Sequence, residues 1–315
     1  IVGDFGAFRE DPGEGGESLH LNIDIELQEW IHHIYPKSLS GAVIALDPED
    51  GGVLALYSNP GYDPNDFVSG ISSQAWEDLN ADDRNPLFNR AVLGLYPPAS
   101  TWKLAAAGIG LDLGVITPNE KMPVPCTGSY AFGDRSYRCW DPDGHGFNNL
   151  AEAIGNSCDV YFYQLGLRIG LDPLLRRSTE IGFSRQCGID LPQESQGVFP
   201  AEREFWERRF GYAPREGEVL PLSIGQGPNS QTPLKIAQFY LALARDGSAP
   251  TPVLARDLEI DETWALNLDP EHLESLREGL RKVTAPGGTA HFGTALEHWQ
   301  VLGKTGTAEH GLSQA

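Results

Sequence analysis

The stretch Tyr96-Pro97-Pro98-Ala99-Ser100-Thr101-Trp102-Lys103 sets a nucleophile and a base at short spacing. Two prolines hold the approach extended and disfavour helix just before Ser100, whereas Leu104-Ala105-Ala106-Ala107 is strongly helix-forming. The pattern therefore predicts Ser100 at or near a helix start. A three-residue separation is slightly under one helical turn, so the Ser100 hydroxyl and the Lys103 amine would share a face within hydrogen-bonding reach. A serine with a lysine base is a route to an alkoxide, and a helix amino terminus adds free N–H groups and partial positive charge where an oxyanion forms. Taken alone, Ser-x-x-Lys also describes an ordinary first helical turn. What accompanies it decides.

The elements that must position this pair can be read along the chain. Residues 1–22 form a Gly- and Glu-rich irregular lead-in. Asp24 is placed to cap a helix in which Leu27, Trp30, Ile31 and Ile34 recur at helical spacing, ending at Pro36. Residues 41–46 and 53–57 flank a Pro48-to-Gly52 turn and read as a hairpin, apolar enough to be covered on both faces. Residues 58–95 read as loop, and periodicity disappears again over 118–149. Helical patterns return around Leu150 to Ile154, Val160 to Ile169, after Thr232-Pro233 as far as Gly247, and through Leu273, Leu276, Leu280 and Val283. The run 299–307 reads as a strand with glycines where something approaches closely.

Composition excludes some functions. With 23 Lys+Arg against 44 Asp+Glu the net charge is −21, which disfavours a nucleic-acid or anionic-membrane partner. No apolar run reaches the ~20 residues of a membrane span, and Asp112 interrupts the longest candidate. Ile1-Val2-Gly3-Asp4 is no signal peptide, so any export signal or anchor is expected outside this sequence. Although Ile1-Val2-Gly3 resembles the cleaved start of chymotrypsin-like proteases, no Gly-Asp-Ser-Gly-Gly stretch follows. Gly303-Lys304-Thr305 is not a phosphate-binding loop, because His298 stands where that motif needs glycine.

Two further stretches complete the constellation: Ser157-Cys158-Asp159 on a connection between helical runs, and Lys304-Thr305-Gly306-Thr307. This order resembles the penicilloyl-serine transferases, which carry Ser-x-x-Lys, then Ser-x-Asn or Ser-x-Asp, then Lys-Thr-Gly. Leu39 to Pro48, Asn89-Arg90-Ala91, Gly188-Ile189-Asp190-Leu191-Pro192 and Ser223-Ile224-Gly225-Gln226-Gly227 are similar to class B penicillin-binding proteins. Ser-x-Asp followed by Tyr161-Phe162-Tyr163 is most similar to their elongation branch, penicillin-binding protein 2. The resemblance covers roughly residues 17–307.

It implies an α/β (α+β) fold, an antiparallel sheet between helices, with a transpeptidase domain over 23–315, sheet elements at 39–59 and 299–307 and a helical subdomain at about 60–250. The family continues with two further strands and a terminal helix, expected either beyond Ala315 or to be supplied from elsewhere, and an anchor expected before Ile1 would hold the domain on the periplasmic face of the inner membrane. The implied activity is peptidoglycan D,D-transpeptidation during elongation, with acylation by β-lactams. Ser100 would attack the penultimate D-alanine carbonyl of a stem peptide and release the terminal D-alanine, with Lys103 as base. Ser157 would shuttle a proton to the leaving amine, and Asp159 would orient Lys103 or the substrate amide. Lys304, Thr305 and Thr307 would hold the substrate carboxylate, with Gly306 letting the substrate backbone lie close. The Ser100 and Thr307 amides would form the oxyanion hole. A second stem peptide supplies the acceptor amine, and a membrane glycan polymerase is the expected partner. A β-lactamase or β-lactam sensor of the same fold and a non-catalytic cell-wall peptide module are the alternatives.

Cys126, Cys139, Cys158 and Cys187 are an even set, so two disulfides are one expectation. Another is a closed zinc site from Cys126, Cys139, His145 and Cys158, three thiolates and one imidazole. Ser157 and Asp159 facing the cleft would turn Cys158 the opposite way, so a metal there would pin 118–149 behind the active-site loop. Unliganded buried thiols are the third option. Asp134, Asp141 and Asp143 are poorer ligand candidates, and Cys187 reads as packing.

Overall fold

The computed structural model describes residues 18–68, 70–258, 263–292 and 298–308. Asp24 Oδ1 accepts from the Leu27 amide at 3.0 Å and starts helix α1 (Ile25–Ile34), in which Ile31 is buried while Trp30 and Ile34 stay exposed. Strands β1 (Gly41–Leu46) and β2 (Val53–Asn59) pair antiparallel, Gly41 opposite Asn59 and Leu46 opposite Val53. Period-two alternation gives the hairpin two apolar faces. Val43, Ala45, Ala55 and Tyr57 pack under Ile31 of α1, and Ile44, Leu46 and Val53 pack with Ala91, Val92, Ile189 and Leu234. Both faces are covered, as the continuous apolar runs imply.

Helix α2 (Ser73–Ala81) lies within the stretch read as loop; it buries no residue, so it leaves no apolar period to detect. A 3-10 turn, Ala99–Trp102, then leads into α3 (Lys103–Asp112). Every residue from Lys103 to Leu111 is buried. A helix apolar all round belongs at a centre, and α3 is ringed by four later helices. Before them, β3 (Ser129–Phe132) and β4 (Arg135–Arg138) form a short hairpin inside the segment read as irregular. Their half-exposed four-residue strands are too short to show a period. Helix α4 (Leu150–Gly155) and α5 (Asp159–Ile169) follow as expected; α6 (Leu171–Glu180), α7 (Glu204–Phe210) and α8 (Val219–Ser223) were not legible. Thr232 caps α9 (Pro233–Ala244) by accepting from the Lys235 amide at 3.1 Å. After β5 (Ser248–Pro250) and its partner β6 (Thr263–Ala265), α10 (Pro270–Thr284) lies along α4 and α3.

The strand expected over 299–307 is not found. Residues 301–308 have no strand ladder among the described residues; a strand exists only where a neighbour's N–H and C=O groups pair with it. Thr284 Oγ1, donating to the Val301 carbonyl at 2.6 Å, instead ties this segment to α10. No described helix is long and apolar enough to cross a membrane.

Helix α4 is short and ends directly before Ser157, so its start matters to the site. Asn149 Oδ1 accepts from the Glu152 amide at 3.0 Å while Glu152 Oε2 accepts from the Asn149 amide at 2.9 Å, a reciprocal capping box. Asn149→Ala is expected to lower unfolding free energy by about 1 kcal/mol in a denaturant titration; an unchanged midpoint would remove the box from the account.

Candidate active site and candidate metal site

The Ser100 turn is held from three directions. The Ala99 amide donates to the Gly225 carbonyl at 3.0 Å, the Tyr240 hydroxyl donates to the Thr101 carbonyl at 3.0 Å, and the buried Trp102 ring stacks on Phe199. Ala99 has φ +48° and Ser157 φ +51°, the left-handed region, at positions that are not glycine. Each costs about 1–2 kcal/mol and persists because its surroundings over-determine it. Gly225, itself at φ +74°, would drive a Cβ into the Ala99 carbonyl oxygen and the Trp102 Cβ. Gly225→Ala is therefore expected to lose at least about 1–2 kcal/mol from backbone conformation alone, read by thermal unfolding; a variant as stable as the parent would show that this support is dispensable.

The structure brings the three stretches together. Lys103 is fully buried, and its ammonium donates to the Asp159 carboxylate at 2.7 Å, the Ser157 carbonyl at 2.7 Å and the Ser157 hydroxyl at 3.2 Å. The expected hydrogen bond between Lys103 and Ser100 is not made. An ammonium has three protons, and all three are committed elsewhere. Lys304 Nζ donates to the same Ser157 hydroxyl at 2.8 Å, so one hydroxyl bridges both lysines. Gly306 lies against the serine turn: a Cβ there would sit 3.0 Å from Thr101 Cγ2 and 3.4 Å from the Pro98 carbonyl oxygen. Thr305 Oγ1 pairs with Thr289 Oγ1 at 2.8 Å, and Thr307 is exposed.

Burial and the neighbouring Lys103 charge press the Lys304 amine down to about 7, with Asp159 opposing. Burial pushes the Asp159 carboxyl up, and Lys103 opposes that shift. The second carboxylate oxygen of Asp159 accepts from the Trp140 amide at 3.0 Å.

Ser157 and Asp159 face the lysines, and Cys158 between them points away, into the protein. There it meets Cys126, Cys139 and His145, whose ligand atoms all lie within 4.8 Å of one another. All four cysteines are free, so the two disulfides set out as one expectation are not formed in this structure. His145 Nδ1 stands 3.6 Å from Cys126 Sγ and 3.5 Å from Cys139 Sγ. Zinc–sulfur and zinc–nitrogen bonds at a tetrahedral angle place S and N roughly 3.5 Å apart, so these residues fit such an ion. The Asp141 carboxylate lies 3.7 Å from His145 Nε2 and is not one of the four residues whose ligand atoms cluster. A Cys158 hydrogen bond holds the Cys139 thiol well below the usual thiol range. Cys187 is buried with Val53, Ala91 and Leu234, as packing.

Sequence reasoning missed four supports: Gly225, whose motif was noted without a role; Tyr240, read only as an apolar helix position; Thr289; and Trp140. The Gly225 contact and the Trp140 amide contact run through backbone groups, which residue types do not reveal, and the type of residue 140 does not say which carbonyl its indole meets.

The Penicillin binding protein transpeptidase domain model matches residues 41–314. The peptidoglycan D,D-transpeptidase MrdA of Escherichia coli K12 is 35% identical over 312 residues, covering 96% of this chain and 49% of the relative. The Pseudomonas aeruginosa PBP2 structure in complex with WCK 5153 superposes with TM-score 0.79 at 36% identity, covering 89% of this chain and 61% of that one. A Helicobacter pylori PBP2 solved in complex with MreC gives TM-score 0.81 at 35% identity, covering 88% and 51%. The chain spans about half the length of these curated relatives, and the fold class expected from the motifs is theirs. On the extent of that match and the identity of these relatives, the chain belongs to the penicillin-binding protein transpeptidase domain family.

Proposed function

We propose that the chain is the acyl-transfer domain of an elongation D,D-transpeptidase, with Ser100 as nucleophile. The observation that carries this reading is the Ser157 hydroxyl bridging Lys103 and Lys304 beside the Ser100 turn. Lys304 binds the substrate carboxylate, with Thr305 and Thr307 beside it. That anion stabilises a proton on Lys304, which draws one from Lys103 through the Ser157 hydroxyl. Neutral Lys103 then takes the Ser100 proton as the oxygen attacks the penultimate D-alanine carbonyl. The oxyanion is received by the amides of Ser100 and Thr307, neither of which donates to another backbone group among the described residues. Ser157 protonates the leaving D-alanine amine, and an acceptor amine later takes the acyl group. Asp159 holds Lys103 in place throughout. The same reading covers acylation by β-lactams, a position on the outer face of the inner membrane and a membrane glycan polymerase as partner.

Cys126, Cys139, His145 and Cys158 would hold zinc; bound there, the ion supplies a structural cross-link and no reaction chemistry. The donor set supports it: three buried thiols and a ring nitrogen whose ligand atoms lie within 4.8 Å of one another, the nitrogen 3.6 Å and 3.5 Å from two of the sulfurs.

The relay has a pH signature. The productive form carries one proton on the lysine pair, so acylation rises with pH as Lys304 loses its proton near 7. Lys304→Arg keeps the carboxylate contact but cannot take up the Lys103 proton, since guanidinium stays charged. Its rising limb is expected to move up by more than ~1 pH unit, about the tenfold change in proton affinity that one unit represents. A limb that stays near 7 would rule the relay out. The activity itself is tested with a donor peptide ending in D-alanyl-D-alanine and an amine acceptor, followed by mass spectrometry. Release of D-alanine with a joined product supports transfer, whereas β-lactam turnover without peptide joining would assign a β-lactamase.

A further inference from the structure

Trp140 immediately follows the metal-site residue Cys139, yet its contacts run to the other side of the loop. Its backbone amide donates to Asp159 Oδ2 at 3.0 Å, and its indole Nε1 donates to the Asn156 carbonyl at 2.9 Å. Asn156 and Asp159 bracket Ser157 and Cys158, so one residue holds both ends of the Ser-x-Asp loop. The ring also lies against His145, centroids 5.3 Å apart. The side chain is otherwise largely exposed, with a residue exposure of 59%. A large exposed indole contributes little to a core, so its polar contact is the feature to explain.

We propose, on the transpeptidase reading above, that Trp140 is a positioning residue: its indole clamps the segment that carries Cys139 and His145 to the Ser157 loop and so fixes the plane of the Asp159 carboxylate. A carboxylate turns easily about its terminal torsion. With Oδ2 held by the Trp140 amide, Oδ1 is left pointing at Lys103, at 2.7 Å. Without that amide both oxygens can turn to the ammonium, and Lys103 is drawn off its place beside Ser157. The Asn156 contact acts in the same direction, since it restrains the peptide leading into the left-handed Ser157, φ +51°. The segment that carries Cys139 and His145 thus reaches the reacting groups through a hydrogen-bonded residue as well as through Cys158.

The test uses the full-length protein and its Trp140→Ala and Trp140→Phe variants, with benzylpenicillin as acylating probe. Three quantities are read: the acylation rate constant separated from the noncovalent dissociation constant, zinc content per chain, and hydrogen exchange of the residue 140 amide. For Trp140→Ala the expected result is about tenfold slower acylation, a dissociation constant within twofold, zinc retained and faster exchange at 140. Trp140→Phe keeps a ring against His145 but lacks the indole donor, and is expected to fall between. Acylation within twofold of the parent together with unchanged exchange in Trp140→Ala would overturn the clamp. Zinc lost in parallel with acylation in Trp140→Phe would also overturn it, because the residue would then serve only the metal site. If the parent protein forms no Ser100 adduct, the transpeptidase reading falls, while the exchange comparison still decides whether the indole holds the amide on Asp159.

Discussion

Replacing Lys103 by alanine is expected to slow β-lactam acylation by about 100- to 10,000-fold, the usual range for removing a positioned general base, while leaving Ser100 in place. The single variant carries a second effect. Asp159 is buried and holds its carboxylate against the Lys103 ammonium at 2.7 Å. Deleting one member of a buried pair strands the other and costs about 3–5 kcal/mol, so a slow Lys103→Ala could simply be a poorly folded one. The double variant Lys103→Ala with Asp159→Asn removes that ambiguity. It keeps an amide oxygen for the Trp140 N–H and leaves no unpaired charge, so it should unfold close to the parent and still acylate as slowly as the single variant. Recovery of the rate together with stability would show that Lys103 supports the fold and is not the base.

The second large effect follows from the proposal that Cys126, Cys139, His145 and Cys158 hold zinc. Removing one thiolate from a closed site of three thiolates and an imidazole is expected to destroy most of its affinity, and structural zinc in small domains supplies about 10–16 kcal/mol of apparent binding free energy. In a chain with a central core of its own, part of that is recovered by packing. Cys158→Ser is expected to lose zinc and at least about 5 kcal/mol of stability, a fraction of that zinc-finger range. Cys158 is completely buried and lies between the two site residues, so acylation should fall with it. Inductively coupled plasma analysis of the parent should give one zinc per chain. A parent without zinc, whose melting is insensitive to chelator, would leave four free thiols as packing.

The three chemical stretches were legible because each is a local pattern of residue types, and the structure brings them to one place. The grouping of Cys126, Cys139, His145 and Cys158 was legible for a related reason: Ser157 and Asp159 facing the cleft leave Cys158 only the opposite direction. What could not be read was which partner each polar group would choose. Ser100 and Lys103 are close in sequence, but the buried Asp159 carboxylate and two acceptors on Ser157 outcompete a half-exposed hydroxyl for the three ammonium protons. The strand expected from 299 to 307 rested on residue type, and a ladder depends on a neighbour. Helix α2 and the β3–β4 hairpin bury too little to leave a period. The Gly225 carbonyl and the Trp140 amide act through backbone groups, to which residue type is blind, and the carbonyl that the Trp140 indole meets is set by the fold.

All of the proposed chemistry passes through acylation of Ser100. Intact mass spectrometry of the parent and of Ser100→Ala after brief exposure to benzylpenicillin tests it directly. The account predicts a persistent adduct of one drug molecule on the parent and none on Ser100→Ala. An adduct of equal yield on both proteins, or no adduct on a parent shown to be folded, would contradict it.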